Sequence, residues 1–116
     1  MADLNVDHNI CHRAVLAATR PLYECAVKEV YCFETASSTE WNFSGTQFKP
    51  NVFEEISEAE LMAKIDILYE KYSDEMRLFP HPRSQEYLRA CAIKWGGVAG
   101  VDLAEALARA ERAVLE

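Results

Sequence analysis

The segment that most constrains the fold is residues 27–35, with the sequence VKEVYCFET. It is rich in β-branched and aromatic residues, which are typical of β-strands. Its centre, Val30-Tyr31-Cys32-Phe33, is apolar at successive positions, whereas a half-exposed hairpin strand alternates apolar and polar residues. The pattern therefore predicts an interior strand of a sheet that is covered on both faces.

A second segment, residues 58–76, predicts an amphipathic helix with a defined start. Ser57 and Glu60 form an S-x-x-E capping box, in which each side chain accepts a hydrogen bond from the other residue's backbone N–H. Ile56 and Leu61 stand at the positions of a hydrophobic staple. The apolar residues that recur at helical spacing predict the buried face, which consists of Leu61, Ile65, Leu68, Tyr72 and Met76.

Caps and helix breakers bound the elements of the N-terminal half. A helix is predicted over residues 8–19, with Asp7 as its N-cap and Pro21 after its end. Residues 36–49 lack periodicity and are predicted to form a long loop, a type of segment that often carries function. A second strand is predicted over residues 51–56. The apolar stripe of the first helix would consist of Cys11, Ala14, Val15 and Ala18.

The C-terminal third predicts two more helices. Ser84 is the N-cap of a helix that extends to Trp95, and the Gly96-Gly97 pair is predicted to end it. Its inner face would consist of Leu88, Cys91, Ala92 and Trp95. The tail, residues 101–116, is rich in Ala, Glu, Leu and Arg, and its propensity predicts a further helix.

Charge and composition exclude several classes of function. The chain has 12 basic and 19 acidic residues, and its net charge of −7 argues against a nucleic acid or an anionic membrane as partner. No apolar run approaches the ~20 residues of a membrane span. The first nine residues carry acid where a secretory signal carries base. We therefore expect one domain, in the cytoplasm, with its four cysteines as buried thiols, since they form no C-x-x-C pair.

One candidate site lies near the N-terminus. His8 and His12 are four residues apart and share a helical face, and Asp3 and Asp7 are close in sequence. A neutral imidazole is a good zinc ligand, and a neighbouring carboxylate could fix its tautomer. The alternative is that both histidines are surface or boundary residues of a helix, because a catalytic zinc usually takes three protein ligands.

Two further segments suit substrate binding. Residues 79–84, FPHPRS, present His81 and Arg83 ahead of a helix N-terminus, a location suited to anions or polar substrates. The alternative is a turn that only leads into the next helix. In the long loop, Glu40 and Trp41 would suit a sugar, which packs on an aromatic ring beside a hydrogen-bonding acid. The alternative is a tryptophan that anchors the loop to the core.

Five segments, in order along nearly the whole chain, resemble the C-terminal half of the PIG-L/LmbE family: DLNVDHNICHRAVLAATRP, YCFETASSTEW, FKPNVFEEIS, FPHPRS and GGVAGVDLAEAL. Members of this family are zinc-dependent N-deacetylases that act on N-acetylglucosamine-type substrates. The resemblance implies an α/β fold, the C-terminal part of a Rossmann-like three-layer sandwich with an incomplete sheet and flanking helices. Relatives end in a strand-like stretch, whereas the alanine-rich tail of this chain favours a helix.

The resemblance also implies roles for individual residues. His8, in D-L-N-V-D-H, matches the family's downstream zinc ligand, and Asp7 matches the acid before it, which would hydrogen-bond that ligand. Many relatives carry a histidine three positions before the ligand, where this chain has Asn5. Two further stretches match parts of the family that are expected at the mouth of the active site. Their candidate substrate-binding residues are Glu40, Trp41, His81 and Arg83.

The family's other zinc ligands and its general base belong to an A-H-P-D-D-E motif that these 116 residues do not contain. We therefore expect weak zinc binding and no turnover by the chain alone. One hypothesis is that the chain is half of a deacetylase. With the missing half supplied, the enzyme would hydrolyse an N-acetyl sugar amide through zinc-activated water. The other is a non-catalytic, truncated family member. Under either, an exposed sheet edge and apolar faces predict a homo-oligomer or a complex with the missing half.

Overall fold

The structure is a computed structural model that describes residues 2–43 and 45–110. The described residues form three helices, α1 (Val6–Ala18), α2 (Glu58–Lys71) and α3 (Gln85–Ala99), and three strands, β1 (Tyr31–Phe33), β2 (Val52–Glu55) and β3 (Ala104–Arg109). The strands form one sheet in the order β1-β3-β2. The chain therefore belongs to the mixed α/β class, as predicted.

The chain divides into two compact units. Among the described residues, the first unit contains residues 2–43, 45–52 and 107–110, and the second contains residues 53–106. Helix α1 and strand β1 belong to the first unit, whereas helices α2 and α3 belong to the second. The boundary between the two units falls within strand β3, between Ala106 and Leu107.

All described strand pairs are antiparallel. Strand β1 pairs antiparallel with β3, with Cys32 opposite Ala108. Beside β2, the Asn51 N–H donates to the Leu107 carbonyl at 3.0 Å in the first unit. In the second unit, the N–H of residue 56 donates to the carbonyl of residue 103 at 3.1 Å, so β2 also runs antiparallel to β3. The second predicted strand is confirmed, with bounds one residue shorter at each end.

The prediction of an interior strand over residues 27–35 is wrong. Strand β1 has only three residues and stands at the end of the strand order. Tyr31 and Phe33 are exposed, the latter by 70%, and Cys32 between them is half-buried. A run of apolar residues predicts burial on both faces only when other elements cover those faces, and the described residues leave the face of Tyr31 and Phe33 exposed.

Helix α1 begins earlier than predicted and has a different cap. The Asn5 side chain accepts hydrogen bonds from the backbone N–H groups of Asp7 at 2.9 Å and His8 at 3.2 Å. Asn5 is therefore the N-cap, and the prediction of Asp7 as cap is wrong because Asp7 lies in the first turn. No described residue of α1 is buried, so the predicted stripe of Cys11, Ala14, Val15 and Ala18 covers no core.

The helix predicted for the tail is wrong over residues 104–109, which form strand β3; residues 111–116 lie outside the described residues. Ala104 and Ala106 are buried, and Glu105 and Leu107 between and after them are half-buried. This alternation has the two-residue period of a strand. Helix propensity differs among ordinary residues by at most about 0.7 kcal/mol each, so burial and strand pairing outweigh it here.

The core of the second unit lies between α2, α3 and the chain before β3. Leu61 and Ile65 of α2 contact Ala92 of α3 and Leu103 in one buried cluster. The capping box is confirmed, since the Ser57 hydroxyl accepts from the Glu60 N–H at 3.1 Å and the Glu60 carboxylate from the Ser57 N–H at 2.7 Å. Helix α2 ends at Lys71, five residues before the predicted end, and Tyr72 is exposed.

Helix α3 begins after Ser84, as predicted, but continues through both glycines that were expected to end it. It ends instead at Gly100, which adopts the left-handed conformation with φ of 81°. Gly96 is buried, and a Cβ at this position would lie 2.5 Å from the carbonyl oxygen of Asp102. The glycine at 96 therefore permits a close approach of the chain to the helix rather than a stop.

The cysteines are thiols, without a disulfide among them. Cys11 is exposed and the other three are half-buried, so the prediction of buried thiols is wrong. Within residues 2–43 and 45–110, no helix has the length and the apolar character required to cross a membrane.

Candidate functional site

The first unit contains a buried carboxylate paired with an imidazole. His8 Nδ1 lies 2.9 Å from Asp3 Oδ2, and the Asp3 side chain is only 4% exposed against 38% for His8. A carboxylate accepts hydrogen bonds only, so this contact places the imidazole proton on Nδ1. His8 Nε2 then carries the lone pair, which is the form of histidine that binds a metal.

Local hydrogen bonds hold Asp3 in this position. The Asn5 N–H donates to Asp3 Oδ1 at 2.8 Å, and the Asn9 side-chain amide donates to the Asp3 carbonyl at 3.0 Å. The Leu4 N–H donates to the Ser38 carbonyl at 3.0 Å, which ties the N-terminal segment to the long loop. Both Asp3 carboxylate oxygens therefore have donors, as a buried carboxylate requires.

The acid beside His8 is Asp3. The sequence left Asp3 and Asp7 open as partners, and the resemblance implied Asp7. Asp7 is exposed in the first turn of α1, where a carboxylate favours the positive end of the helix dipole. Because Asn5 caps the helix, His8 is the third helical residue, and its ring reaches back to Asp3. Asn5 thus serves as the cap of the helix.

A second pair lies on the next turn of the same helix. His12 Nδ1 is 3.9 Å from Cys32 Sγ, a contact that joins α1 to β1. Both residues are half-buried. The sequence alone does not indicate this pair, because 20 residues separate His12 from Cys32 and no local spacing links them.

Both pairs line one cleft of about 340 Å³ within the first unit. Asp3, His8, His12 and Cys32 are among its polar lining residues, and Cys11 also lines it. Small-molecule sites usually have volumes of about 300–1,000 Å³ and mostly apolar walls with few polar groups. The side chains that form the apolar walls of this cleft include Val15, Leu16, Val30 and Phe33.

The long loop holds the other two candidates of the first unit. The Glu40 carboxylate accepts from the Ser37 N–H at 2.6 Å, where Ser37 is buried with a positive φ of 71°. Thr39 Oγ1 accepts from the Thr35 N–H at 2.8 Å, which closes the same turn. Glu40 therefore fixes the loop, and Trp41 is 44% exposed; neither side chain lines the cleft.

His81 and Arg83 lie in the second unit, in a turn held by its own side chains. The Arg83 N–H donates to His81 Nδ1 at 3.0 Å, which places the proton of a neutral His81 ring on Nε2. The Arg83 guanidinium pairs with the Glu75 carboxylate at 2.7 Å. This pairing offsets the positive charge that an anionic ligand would require, and it favours the alternative of a structured turn.

A zinc site requires three or four protein ligands. In the part of the chain that the structure describes, no group of three or more His, Cys, Asp or Glu side chains could hold a metal ion. His8 has the tautomer and the carboxylate partner of a zinc ligand, but the described residues do not complete its coordination. Zinc therefore does not fit these residues as a self-contained site.

The second unit contains an ion pair between two helices. Glu58 of α2 and Arg89 of α3 form a two-pronged ion pair with distances of 2.5 and 2.9 Å. The hydrogen bond from Arg89 lowers the pKa of Glu58 below its ordinary value of 4.5, and the same bond raises the pKa of Arg89. This pair links helices α2 and α3.

Comparison with known proteins found no match for the chain among protein-family models, curated proteins or solved structures.

Proposed function

We propose that the chain is the C-terminal part of a PIG-L/LmbE-like N-deacetylase domain that acts on an N-acetylated sugar or glycoconjugate in the cytoplasm. In this proposal the domain is a zinc-dependent hydrolase with a Rossmann-like three-layer core. The described strands are antiparallel, so the parallel strands of such a core would belong to the rest of the domain. This chain contributes one zinc ligand, His8, and the complementary half contributes the others and the general base.

The observation that carries the proposal is the Asp3–His8 pair. Histidines that bind metals almost always donate their other ring N–H to a carboxylate, a carbonyl or water. Here a buried carboxylate takes that N–H at 2.9 Å and leaves Nε2 for a metal. Burial of an unpaired carboxylate costs free energy of folding, so Asp3 requires a partner. A histidine that only faces solvent would not require a buried carboxylate beside it. The pair also lines a cleft large enough for a small ligand.

Nuclear magnetic resonance of the imidazole nitrogens tests this proposal with an internal control. When the rings are neutral, we expect the proton on Nδ1 in His8 and on Nε2 in His81, because their Nδ1 atoms have opposite hydrogen-bonding roles. On addition of zinc, the His8 Nε2 signal should shift before any signal of His81. Asp3→Asn should weaken this binding by about 10- to 100-fold. Equal responses of His8 and His81 to zinc would contradict the proposal.

An activity assay tests the second part of the proposal. The chain alone should show no release of acetate from N-acetylglucosamine derivatives at any zinc concentration, because the described residues supply one ligand where hydrolysis requires three. Hydrolysis by this chain that His8→Ala abolishes would show that a complete centre forms from these residues.

A second candidate is a non-catalytic family member that forms a homo-oligomer. Its support is the apolar surface of the first unit: α1 has no buried residue among those described, and Val6, Ile10 and Phe33 are each more than 60% exposed. Apolar patches of this kind commonly mark protein interfaces. Size-exclusion chromatography with light scattering at micromolar concentration tests it, and a monomer would exclude this candidate while leaving the deacetylase proposal in place.

A further inference from the structure

The His12–Cys32 pair has a chemistry that zinc-dependent deacetylation does not use. Thiols react as nucleophiles in the thiolate form, and a neighbouring imidazole that accepts the thiol proton produces that form. His12 Nδ1 lies within hydrogen-bonding distance of Cys32 Sγ, at 3.9 Å, and accepts the proton when its ring carries the other proton on Nε2. Cys32 and His12 both line the cleft, so a ligand in the cleft would lie beside this pair.

We propose that Cys32 and His12 form a nucleophilic pair that captures apolar electrophiles of the α,β-unsaturated carbonyl class in the cleft of the first unit. The sulfur attacks the β-carbon of the ligand, and an S–C bond forms as the C=C π bond breaks. The electron pair of that bond moves to the α-carbon. The thiol proton passes to His12 Nδ1 and then to the α-carbon, so no group leaves and no oxidant is required.

The lining of the cleft selects the kind of electrophile. A volume of about 340 Å³ accommodates a ligand of moderate size, and the walls of the cleft include Val15, Leu16 and Phe33. Burial of apolar ligand surface contributes about 25 cal/mol per Å². An electrophile with an apolar arm should therefore bind before it reacts, whereas one without such an arm should react only by collision.

The chain contains its own control for exposure. Cys11 lines the same cleft and is more exposed than Cys32, but in the described part of the chain its thiol has no hydrogen bond to an imidazole. If exposure alone determined reactivity, Cys11 would react faster. An ordinary thiol is about 3% thiolate at pH 7, so an imidazole that activates Cys32 could accelerate it by at most ~30-fold. We expect Cys32 to react about 10-fold faster than Cys11.

The experiment uses two maleimides that share one electrophile, N-benzylmaleimide with an apolar arm and N-methylmaleimide without it. Peptide mass spectrometry measures the alkylation rate at each cysteine of the full chain. Cys32 should react fastest, and the ratio of its benzyl to its methyl rate should exceed the ratio at Cys25 severalfold. His12→Gln should bring the Cys32 rate down to that of Cys11, with the Cys11 and Cys25 rates unchanged.

Three results would overturn the proposal: a faster reaction at Cys11, a Cys32 rate that His12→Gln does not change, or equal benzyl-to-methyl ratios at Cys32 and Cys25. Circular dichroism and an unchanged alkylation rate at Cys25 verify that the His12→Gln variant is folded. As a second control, Cys11→Ser should leave the alkylation rate of Cys32 unchanged. The assay contains no zinc and no acetylated sugar, so its outcome is independent of the proposed deacetylase function.

Discussion

Replacing Gly96 with alanine introduces a methyl group where residues 101–102 lie close to helix α3. The new Cβ would lie 2.5 Å from the Asp102 carbonyl oxygen and 2.7 Å from that of Val101. Both neighbours are backbone atoms and cannot turn aside as a side chain could. Since carbon contacts have their optimum at about 3.5–4.0 Å, the chain at residues 101–102 has to move by roughly 1 Å.

The expected cost follows from two opposing effects. Overpacking of a dense interior costs about 1–3 kcal/mol, and the backbone neighbours of Gly96 place this case near the upper limit. Alanine recovers about 1 kcal/mol because it is the better helix former. The net loss of unfolding free energy is therefore about 2 kcal/mol, which corresponds to a fall in Tm of roughly 8 °C for a chain of this size.

The adjacent glycine is the matched control. Gly97 is also inside α3, but no atom lies within 4 Å of a Cβ at its position. Gly97→Ala keeps only the propensity gain and should stabilise the protein by about 0.5–1 kcal/mol. Urea unfolding, followed by circular dichroism at 222 nm, measures both variants. If Gly96→Ala proves as stable as Gly97→Ala, the close approach at Asp102 and the account of the glycine pair are refuted.

Three further predictions concern the second unit. Ser57→Ala should destabilise α2 by about 1 kcal/mol in urea unfolding, whereas Ser73→Ala, outside the helix, should have little effect. Leu61→Ala should cost about 2–5 kcal/mol in the same assay, because Leu61 is 1% exposed and its truncation leaves a cavity. The hydrogen bond from Arg89 lowers the pKa of Glu58, so the ion pair stabilises the folded protein at pH values above the ordinary carboxyl pKa. This stabilisation is lost as the pH falls through the lowered pKa of Glu58. Glu58→Gln should therefore lower Tm at neutral pH but not in strong acid.

Local signals predicted α2 well. Its start depends on a hydrogen-bond exchange between residues three apart, and the structure contains both bonds of that exchange. Its buried face was predicted in part, because Leu61 and Ile65 are buried while Tyr72 lies beyond the end of the helix. Cap geometry and side-chain spacing within one helix are set by neighbouring residues, so they can be recognised before any tertiary contact is known.

The tail was mispredicted because its structure depends on distant residues. Residues 104–109 have the composition of a helix, yet β3 pairs with Cys32 and its neighbours more than 70 positions earlier in the chain. The alternation of Ala104, Glu105, Ala106 and Leu107 was the one local sign of a strand. Alanine contributes little to a period-two pattern, since it is common both in cores and on surfaces, and helix propensity therefore dominated the prediction.

The candidate site shows the same division between local and distant information. His8 could be identified from the sequence, and a carboxylate partner could be expected, but two acids were within reach of it. The choice depended on Asn5: a side chain that caps α1 places Asp7 in the exposed first turn and directs the His8 ring towards Asp3. A cap is a local feature, and asparagine ranks among the best N-caps, so this choice could have been derived. The contact of His12 with Cys32 could not have been derived from the sequence, because it requires β1 to lie beside α1. No spacing along the chain specifies that arrangement.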